Sequence, residues 1–146
     1  MNPENFIAVA RVLAAGPNQA HWRSAVSRAY YGAFHVAMRL LASLGITFSK
    51  TASAHEKVAF CLRAAHDGAL TEAGRKLTTL REIRNTADYR LGDRSISSTK
   101  LAIVQVGRAE EIVAAIAPLE RNPGAVRKAI RDYARSVLKL NVVGED

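Results

Sequence analysis

The sequence predicts an all-α fold, an antiparallel bundle of four to five helices with an appended basic C-terminal helix. Apolar residues recur at spacings of three and four along almost the whole chain, which is the period of a helix. Aromatic residues make up only 6% of the sequence while Ala and Leu abound, and those two side chains lose little freedom in a helix. No segment alternates apolar and polar residues as a half-buried strand does.

The chain length of 146 residues fits one domain. Hydrophobic residues at 49% and charged residues at 23% are typical of a folded globular protein. We expect residues 1–120 to form the bundle, and residues 121–146 to form an amphipathic basic helix and tail.

The first helix is expected to begin at Asn2-Pro3, because Asn is a good N-cap and Pro suits the first helical position. Gly16-Pro17 should end it. Its predicted inward face comprises Phe6, Val9, Ala10 and Leu13.

A long second helix is predicted from about residue 18 to residue 44. It is apolar around much of its circumference, so it should be central and touch neighbours on several sides. The two apolar stripes comprise Trp22, Val26, Ala29, Ala33, Ala37, Leu40 and Leu44, and then Tyr30, Phe34, Met38 and Leu41.

Four further helices complete the predicted bundle and its extension. Ser53 and Glu56 have capping-box spacing and should open the third helix, which ends at Asp67-Gly68. The fourth is expected over about residues 71–89, and the fifth follows a loop of glycine and serines at residues 92–98. The sixth begins at Asn122-Pro123. Predicted inward positions are Leu77, Leu80, Ile83 and Ala87 on the fourth helix, and Leu101, Val104, Arg108, Ile112, Ala115 and Leu119 on the fifth.

The net charge of +8 is interpreted as favouring RNA, DNA or an acidic partner protein, or as merely keeping the surface soluble. No apolar run approaches the roughly 20 residues that span a bilayer, so no membrane association is expected. The single cysteine, Cys61, cannot form an internal disulfide, and the N-terminus does not resemble a secretory signal. The cytoplasm is the predicted compartment.

Sequence signatures of phosphate loops, nucleophile elbows and zinc helices are not found. The four histidines fall on three predicted segments, so neither a metal site nor a cofactor is expected. These histidines are His21, His35, His55 and His66.

A polar and aromatic stripe interrupts the apolar second helix. Arg28, Tyr31 and His35 share it with Ser24, and Arg39 lies nearby. The stripe is interpreted either as buried polar groups satisfied by neighbouring helices or as one wall of a nucleotide pocket.

The fourth helix carries Arg84 on its inward stripe, and Asp88 follows four residues later. Burying an arginine is costly without partners. Arg84 is therefore expected either to brace two helices through an Arg84–Asp88 pair or to hold an anionic ligand.

Three segments together resemble the HEPN superfamily over roughly residues 5–115. They are Ser27-Arg28-Ala29-Tyr30-Tyr31 with Phe34-His35, then Ser53-Ala54-His55, then Arg84-Asn85-Thr86-Ala87-Asp88-Tyr89. Within the superfamily the sequence is most similar to a small branch with the motifs S-R-x-Y-Y-x-x-F-H and R-x-x-A-D-Y.

The resemblance implies a helical bundle that commonly forms a homodimer. Many relatives are metal-independent ribonucleases, often toxins paired with a nucleotidyltransferase-like antitoxin. Their active site forms at the dimer interface from an R-x(4–6)-H motif. On this resemblance Arg84 is the motif arginine, Asn85 the polar residue that follows, and Tyr89 stands in the histidine position.

Tyr89 is a poor replacement for a base, because a phenol with a pKa near 10 is mostly protonated at neutral pH. It could still donate a proton. His35, seven residues after Arg28, is the candidate for a displaced base. Two functions remain open for this sequence. One is RNA or nucleotide binding, with or without cleavage, and the other is a non-catalytic module that docks a nucleotidyltransferase-like partner. A DNA-binding regulator is disfavoured because no helix-turn-helix is found.

The predicted last helix has a local net charge of +5 between Arg121 and Lys139. Arg127, Arg131 and Arg135 step by four along one face, opposite an apolar face of Val126, Ile130, Tyr133 and Val137. This basic row is interpreted as a solvated face, a phosphate-binding face or a docking site for an acidic antitoxin.

Overall fold

The computed structural model describes residues 1–145, which form six α-helices and one pair of very short strands. About 72% of the chain is helical, so the predicted all-α helical bundle is confirmed. The helices are α1 (Glu4–Ala14), α2 (Gln19–Ser43), α3 (Ser53–Arg63), α4 (Gly68–Tyr89), α5 (Thr99–Arg121) and α6 (Gly124–Ser136). The strands β1 (Ile46–Thr47) and β2 (Asn141–Val142) pair antiparallel, with Ile46 opposite Val142.

The long helix α2 lies at the centre of the bundle and packs against α1, α3, α4 and α5. It buries side chains around most of its circumference, as its apolar pattern predicts. The buried set includes Ala25, Val26, Ala29, Tyr30, Ala33, Phe34, Val36, Ala37, Leu40 and Leu41. Small and large side chains alternate in this set, so neighbouring helices approach closely at the alanines.

The contact between α1 and α2 shows how close that approach is. A Cβ atom added at Gly32 would lie 2.6 Å from Cγ1 of Ile7. The buried residues of α1 are Ile7, Ala10 and Ala14. The prediction that Val9 faces inward is wrong. Val9 is exposed, and the smaller Ala10 beside it is buried.

The inward face of α5 also differs from the predicted one. The buried residues are Ala102, Val106, Ala109, Ile112 and Ile116. Leu101 and Val104, predicted to face inward, are exposed. Of the predicted stripe only Ile112 is fully buried, so the face of α5 that packs on the bundle is rotated about the helix axis from the predicted one.

The boundary between α3 and α4 differs from the predicted one. Ser53 lies inside the first turn of α3, and no side chain caps that helix. Asp67, expected to end α3, is instead the N-cap of α4, where its carboxylate accepts a hydrogen bond from the Leu70 amide at 2.9 Å. An N-cap carboxylate satisfies one of the free amides of a helix start, so α4 begins three residues earlier than expected.

The last helix packs onto the same core as the bundle, through Val126, Ile130 and Ala134. Val137, expected on the apolar face, is exposed. Arg131 was expected in a solvent-facing row with Arg127 and Arg135, but it is buried.

The Arg131 guanidinium joins α6 to two loops. Its Nη1 donates to the carbonyls of Leu44 at 2.7 Å and Val143 at 2.8 Å, and its Nη2 donates to Gly144 at 2.9 Å. Gly45, at φ +80°, has no room for a side chain, since a Cβ atom would lie 2.1 Å from the Val143 carbonyl oxygen. The turn after α2 and the C-terminal strand are thus held together by one buried cation.

Within residues 1–145 every helix falls short of the length or apolarity needed to cross a membrane.

Replacing Arg131 with methionine should destabilise the fold, because buried carbonyl oxygens would lose their donors. We expect the free energy of unfolding in urea to fall by about 2–4 kcal/mol. Lys128→Met is the matched control: Lys128 is exposed on the same helix and pairs with Asp132 four residues on, a contact worth about 0.5 kcal/mol or less. Equal losses for the two variants would contradict the role assigned to Arg131.

Candidate functional site

Besides Arg131, two arginines are buried within the described residues, and both lie where α2 meets α4. Arg23, on α2, is 7% exposed. Its Nη1 donates to the carbonyls of Thr86 and Ala87, each at 3.0 Å, and its Nη2 donates to Asp93 at 2.5 Å. The last four carbonyls of a helix have no partner within the helix. Arg23 therefore caps the C-terminal end of α4 from the side, in addition to the Arg90 amide that donates to Thr86.

Arg84, on α4, is 5% exposed and has a different environment. Its guanidinium carbon lies 4.9 Å from the ring centre of Tyr30, 5.1 Å from Tyr31 and 5.9 Å from Tyr89. Its Nε is buried and has no hydrogen-bond partner within residues 1–145. Aromatic faces attract a cation but leave its N–H groups without acceptors.

The expected Arg84–Asp88 pair is present, but it is long. Arg84 Nη1 and Asp88 Oδ2 are 3.8 Å apart, beyond hydrogen-bonding distance. The same Asp88 oxygen accepts a hydrogen bond from the Ser27 hydroxyl at 3.1 Å. Asp88 therefore fixes the end of α4 to α2, and it does not accept a hydrogen bond from Arg84.

A histidine from α3 joins this cluster. The Nδ1 atom of His55 lies 2.6 Å from the Tyr30 hydroxyl, and its ring stacks on Phe34 with centres 4.3 Å apart. Tyr30 thus contacts His55 at its hydroxyl and Arg84 at its ring. His55 contributes to the family resemblance but is not predicted as a site residue from the sequence. Helix periodicity does not show which residues meet across different helices.

A pocket of about 250 Å³ opens beside His55, between α3 and α4. Arg81 and Asn85 line it, together with Phe60 and Glu82. The Nε atom of Arg81 is buried and, like that of Arg84, lacks a hydrogen-bond partner within residues 1–145. The pocket brings Asn85, predicted from the motif, together with a histidine and a second arginine.

Protonation states at neutral pH follow from burial and charge. Burial raises the pKa of Tyr30 to about 12, although the nearby Arg84 charge acts in the opposite direction. Burial lowers the pKa of His55 below its ordinary 6.5, and the positive charges of Arg81 and Arg84 lower it further. At pH 7 the site therefore holds a neutral phenol and a neutral imidazole beside two guanidinium groups.

The hydrogen bond between Tyr30 and His55 allows two tautomers of the imidazole. Where Tyr30 donates to Nδ1, the proton of His55 resides on Nε2 and is available to a ligand oxygen. Where Nδ1 donates to the Tyr30 oxygen, Nε2 has a free lone pair and can take a proton. A base held in orientation by a third group is the usual arrangement of an activated catalytic histidine.

The predicted stripe on α2 is divided between two surroundings. Tyr31 faces the cluster, with its ring near Arg84. The Arg28 guanidinium lies over the ring of Phe6 from α1, at 5.4 Å, and over Tyr31 at 5.9 Å. His35 is exposed and stacks loosely on Phe6 and Tyr31, with each pair of ring centres 6.3 Å apart.

The other predicted site residues lie at the surface or at the chain's C-terminal end. Tyr89 is 74% exposed, at the edge of the Arg84 cluster. Arg39 pairs with Glu4 and Glu120, which links α1, α2 and α5. Arg127 donates to the Glu145 carbonyl at 2.6 Å, while Arg135 is exposed.

No group of three or more His, Cys, Asp or Glu residues in the described part of the chain is placed to hold a metal ion. The lone Cys61 is buried, and burial raises the pKa of its thiol to about 12.

The fold and the site define a helical bundle in which a buried arginine, ringed by tyrosines, lies beside a histidine-lined pocket. Residues 4–120 match the model of the HEPN domain, and the chain belongs to the HEPN family. Members of this family often have ribonuclease or nucleotide-binding roles, and HEPN domains often dimerise. Neither a curated protein sequence nor a solved structure matches the chain significantly.

The lowered pKa of His55 can be measured by following its imidazole resonances by NMR as a function of pH. We expect a midpoint below 6.5, and a higher midpoint in Arg81→Gln, where one repelling charge is removed. Arg75→Gln, on the same helix but outside this pocket, should leave the midpoint unchanged. Equal shifts in the two variants would show that general charge and not this contact lowers the pKa.

The same shift has a consequence for stability. Because the folded state holds His55 neutral, the unfolded chain binds more protons between the lowered pKa and 6.5. The contribution of His55 to stability is therefore complete above pH 6.5 and is lost as the pH falls through the folded-state pKa.

Proposed function

We propose that the Arg84 cluster binds a phosphate group of RNA and that the protein is a metal-independent endoribonuclease of the HEPN type. The observation that carries the proposal is the state of Arg84: it is 5% exposed, yet its Nε has no acceptor and its ion pair spans 3.8 Å. Burying an arginine costs free energy unless acceptors are supplied. A phosphate oxygen is the acceptor that suits a guanidinium best.

The other two buried arginines supply the comparison. Arg23 and Arg131 donate to backbone carbonyls at 2.5–3.4 Å, which is sufficient reason for a structural arginine. Arg84 makes no such backbone contact within the described residues and is surrounded by rings. The cluster holds this cation against aromatic rings and leaves its Nε donor unsatisfied, which suits an anion site.

The proposed reaction uses His55 as the base that the motif lacks. His55 Nε2 takes the proton of a ribose 2′-hydroxyl, and the 2′-oxygen forms a bond to the adjacent phosphorus. The bond from phosphorus to the 5′-oxygen breaks, and that oxygen receives a proton from the Tyr89 phenol. Products are a 2′,3′-cyclic phosphate and a free 5′-hydroxyl, with Arg84 and Arg81 balancing the charge of the transition state.

In this proposal the remaining predicted residues have supporting roles. Asn85 donates from its amide to the substrate within the pocket it shares with His55. Asp88 positions the end of α4 through Ser27. Arg28 and His35 border the cluster, and Arg127 and Arg135 offer phosphate-backbone contacts on α6. Pairing with a nucleotidyltransferase-like antitoxin belongs to the same proposal and rests on the family resemblance alone.

The dimer is proposed because HEPN domains often dimerise and because apolar side chains are exposed at the end of α4. Tyr89 and Leu91 are both 74% exposed there, next to Arg84. Light scattering should give a mass of about twice 15.8 kDa, and Leu91→Glu should reduce it towards the monomer. Val12→Glu, at an equally exposed valine on α1, is the control. A monomer at micromolar concentration would exclude an active site shared between two chains.

The catalytic proposal is tested by single-turnover cleavage of total cellular RNA in EDTA, with wild type and four variants. Arg84→Ala and His55→Ala should each lower the rate at least 100-fold. His35→Ala, an exposed histidine, and Arg94→Ala, an exposed arginine in the loop after α4, should retain it. Circular dichroism of each variant separates loss of activity from loss of fold.

The outcomes distinguish three readings. Full activity in His55→Ala but not in His35→Ala would transfer the base to the exposed histidine. Robust cleavage by Arg84→Ala would place the active site elsewhere. Absence of cleavage in every protein, with RNA binding unchanged by Arg84→Ala, would favour the non-catalytic module in which Arg84 is structural, for which the existing Arg84–Asp88 pair is the supporting observation.

A further inference from the structure

A second pocket lies on the same side of the bundle, further along the seam between α3 and α4. Its volume is about 340 Å³, and Phe60, Arg63, Thr71, Arg75 and Tyr133 line it. Phe60 also lines the pocket that holds His55 and Arg81. The two pockets are therefore neighbouring sections of one groove that meet at the Phe60 ring.

Helix geometry gives the groove its direction and length. A row of the α4 residues that line it is spaced by three and four, so they share one face of the helix. This row comprises Thr71, Arg75, Thr78, Glu82 and Asn85, and Leu77 and Arg81 line the groove beside it. At 1.5 Å per residue, this face extends for about 21 Å.

The floor of the groove is fixed by close contact between the two helices. A Cβ atom added at Gly74 would lie 2.6 Å from Cγ of Arg63 and 2.8 Å from the carbonyl oxygen of Ala59. The helices therefore touch at Gly74, and the side chains on either side of this contact form the walls.

Cations and aromatic rings alternate along the walls. The Arg63 guanidinium lies 5.8 Å from the Phe60 ring centre, and Tyr133 adds a ring from α6. Arg75 and Arg81 add charge from α4. Three carboxylates are present as well. Glu72 pairs with Arg75 at 3.4 Å, and Glu56 and Glu82 line the section of the groove that contains His55.

We propose that this α3–α4 groove is a binding track for single-stranded RNA, leading from Arg63 and Arg75 over Phe60 to Arg81 and the Arg84 cluster. The inference rests on the proposed function and names its substrate class. Alternating cations and rings bind a single strand, because the cations meet phosphates and the rings stack on exposed bases. Bases in a duplex are stacked on each other and offer no face to Phe60 or Tyr133.

The length of the groove sets the length of RNA that it holds. At the stacked spacing of about 3.4 Å per nucleotide, 21 Å accommodates about six nucleotides. Affinity should therefore rise with oligonucleotide length up to about six and change little beyond, whereas a mononucleotide pocket would show no such dependence.

The experiment measures fluorescence anisotropy of the full-length protein with labelled oligouridylates of two, four, six and twelve nucleotides. The double variant Arg63→Gln/Arg75→Gln should bind the 12-mer about tenfold more weakly and leave the 2-mer unchanged. Its slope of log affinity against log salt should fall by about 1.4, because two phosphate contacts are lost. Lys50→Gln/Lys100→Gln, which removes two exposed charges elsewhere, is the matched control.

Phe60→Leu tests the stacking contribution while keeping an apolar side chain of similar bulk. It should weaken the 6-mer and 12-mer about fivefold or more and the 2-mer little. The same measurements on Arg84→Ala separate this inference from the proposed function: loss of 2-mer binding there, with the length dependence of longer oligonucleotides retained, supports both. Unchanged RNA binding in Arg84→Ala, with the groove variants impaired, would overturn the Arg84 site but not the groove.

Three results would overturn the proposal that this groove binds single-stranded RNA. They are equal affinity for all lengths, equal loss in the groove and control variants, and binding of a 12-base-pair duplex as tight as that of the single strand. Competition by polyglutamate as effective as competition by unlabelled RNA would identify an acidic protein segment as the occupant instead.

Discussion

The joint between α2 and the end of α4 is the constraint on which the site depends. Arg23 donates to the Thr86 and Ala87 carbonyls at the α4 C-terminus, and the Ser27 hydroxyl, one turn further along α2, donates to Asp88. Both contacts fix the rotation of α4 about its own axis. That rotation directs Arg84 onto the tyrosine rings of α2 and turns Asn85 and Arg81 towards α3. A change at Arg23 would therefore reach the site without touching any residue in it.

Tyr30 connects the two halves of the site. Its ring provides a face for the Arg84 cation, and its hydroxyl holds the imidazole of His55. Burial keeps the phenol protonated, with a pKa of about 12, so it remains a neutral hydrogen-bonding group over the whole physiological range. A single buried side chain on the central helix thus couples the anion-binding group to the group proposed to move the proton.

Much of the fold could be predicted from the sequence, because helix period and end signals act over a few residues. The central position of α2 and the inward direction of Arg84 both follow from spacing. The faces of α1 and α5 were predicted less well, since spacing alone favoured large side chains such as Val9 and Val104 over the alanines that pack. His55 was missed and Arg131 was misplaced for one reason: both depend on partners more than 20 residues away, the Tyr30 hydroxyl and the Leu44 carbonyl.

The crossing of α1 and α2 at Gly32 has a consequence for how the sequence can vary. Gly32 presents only hydrogen atoms to Ile7 and Phe6 of α1, so any substitution at this position adds volume to a contact that is already closed. Related sequences should therefore drift freely at the exposed charges yet retain glycine or alanine at positions 10, 14, 32 and 33. Natural variation in this protein would be limited by size at these four positions sooner than by polarity, and substitutions tolerated there should be confined to the smallest residues.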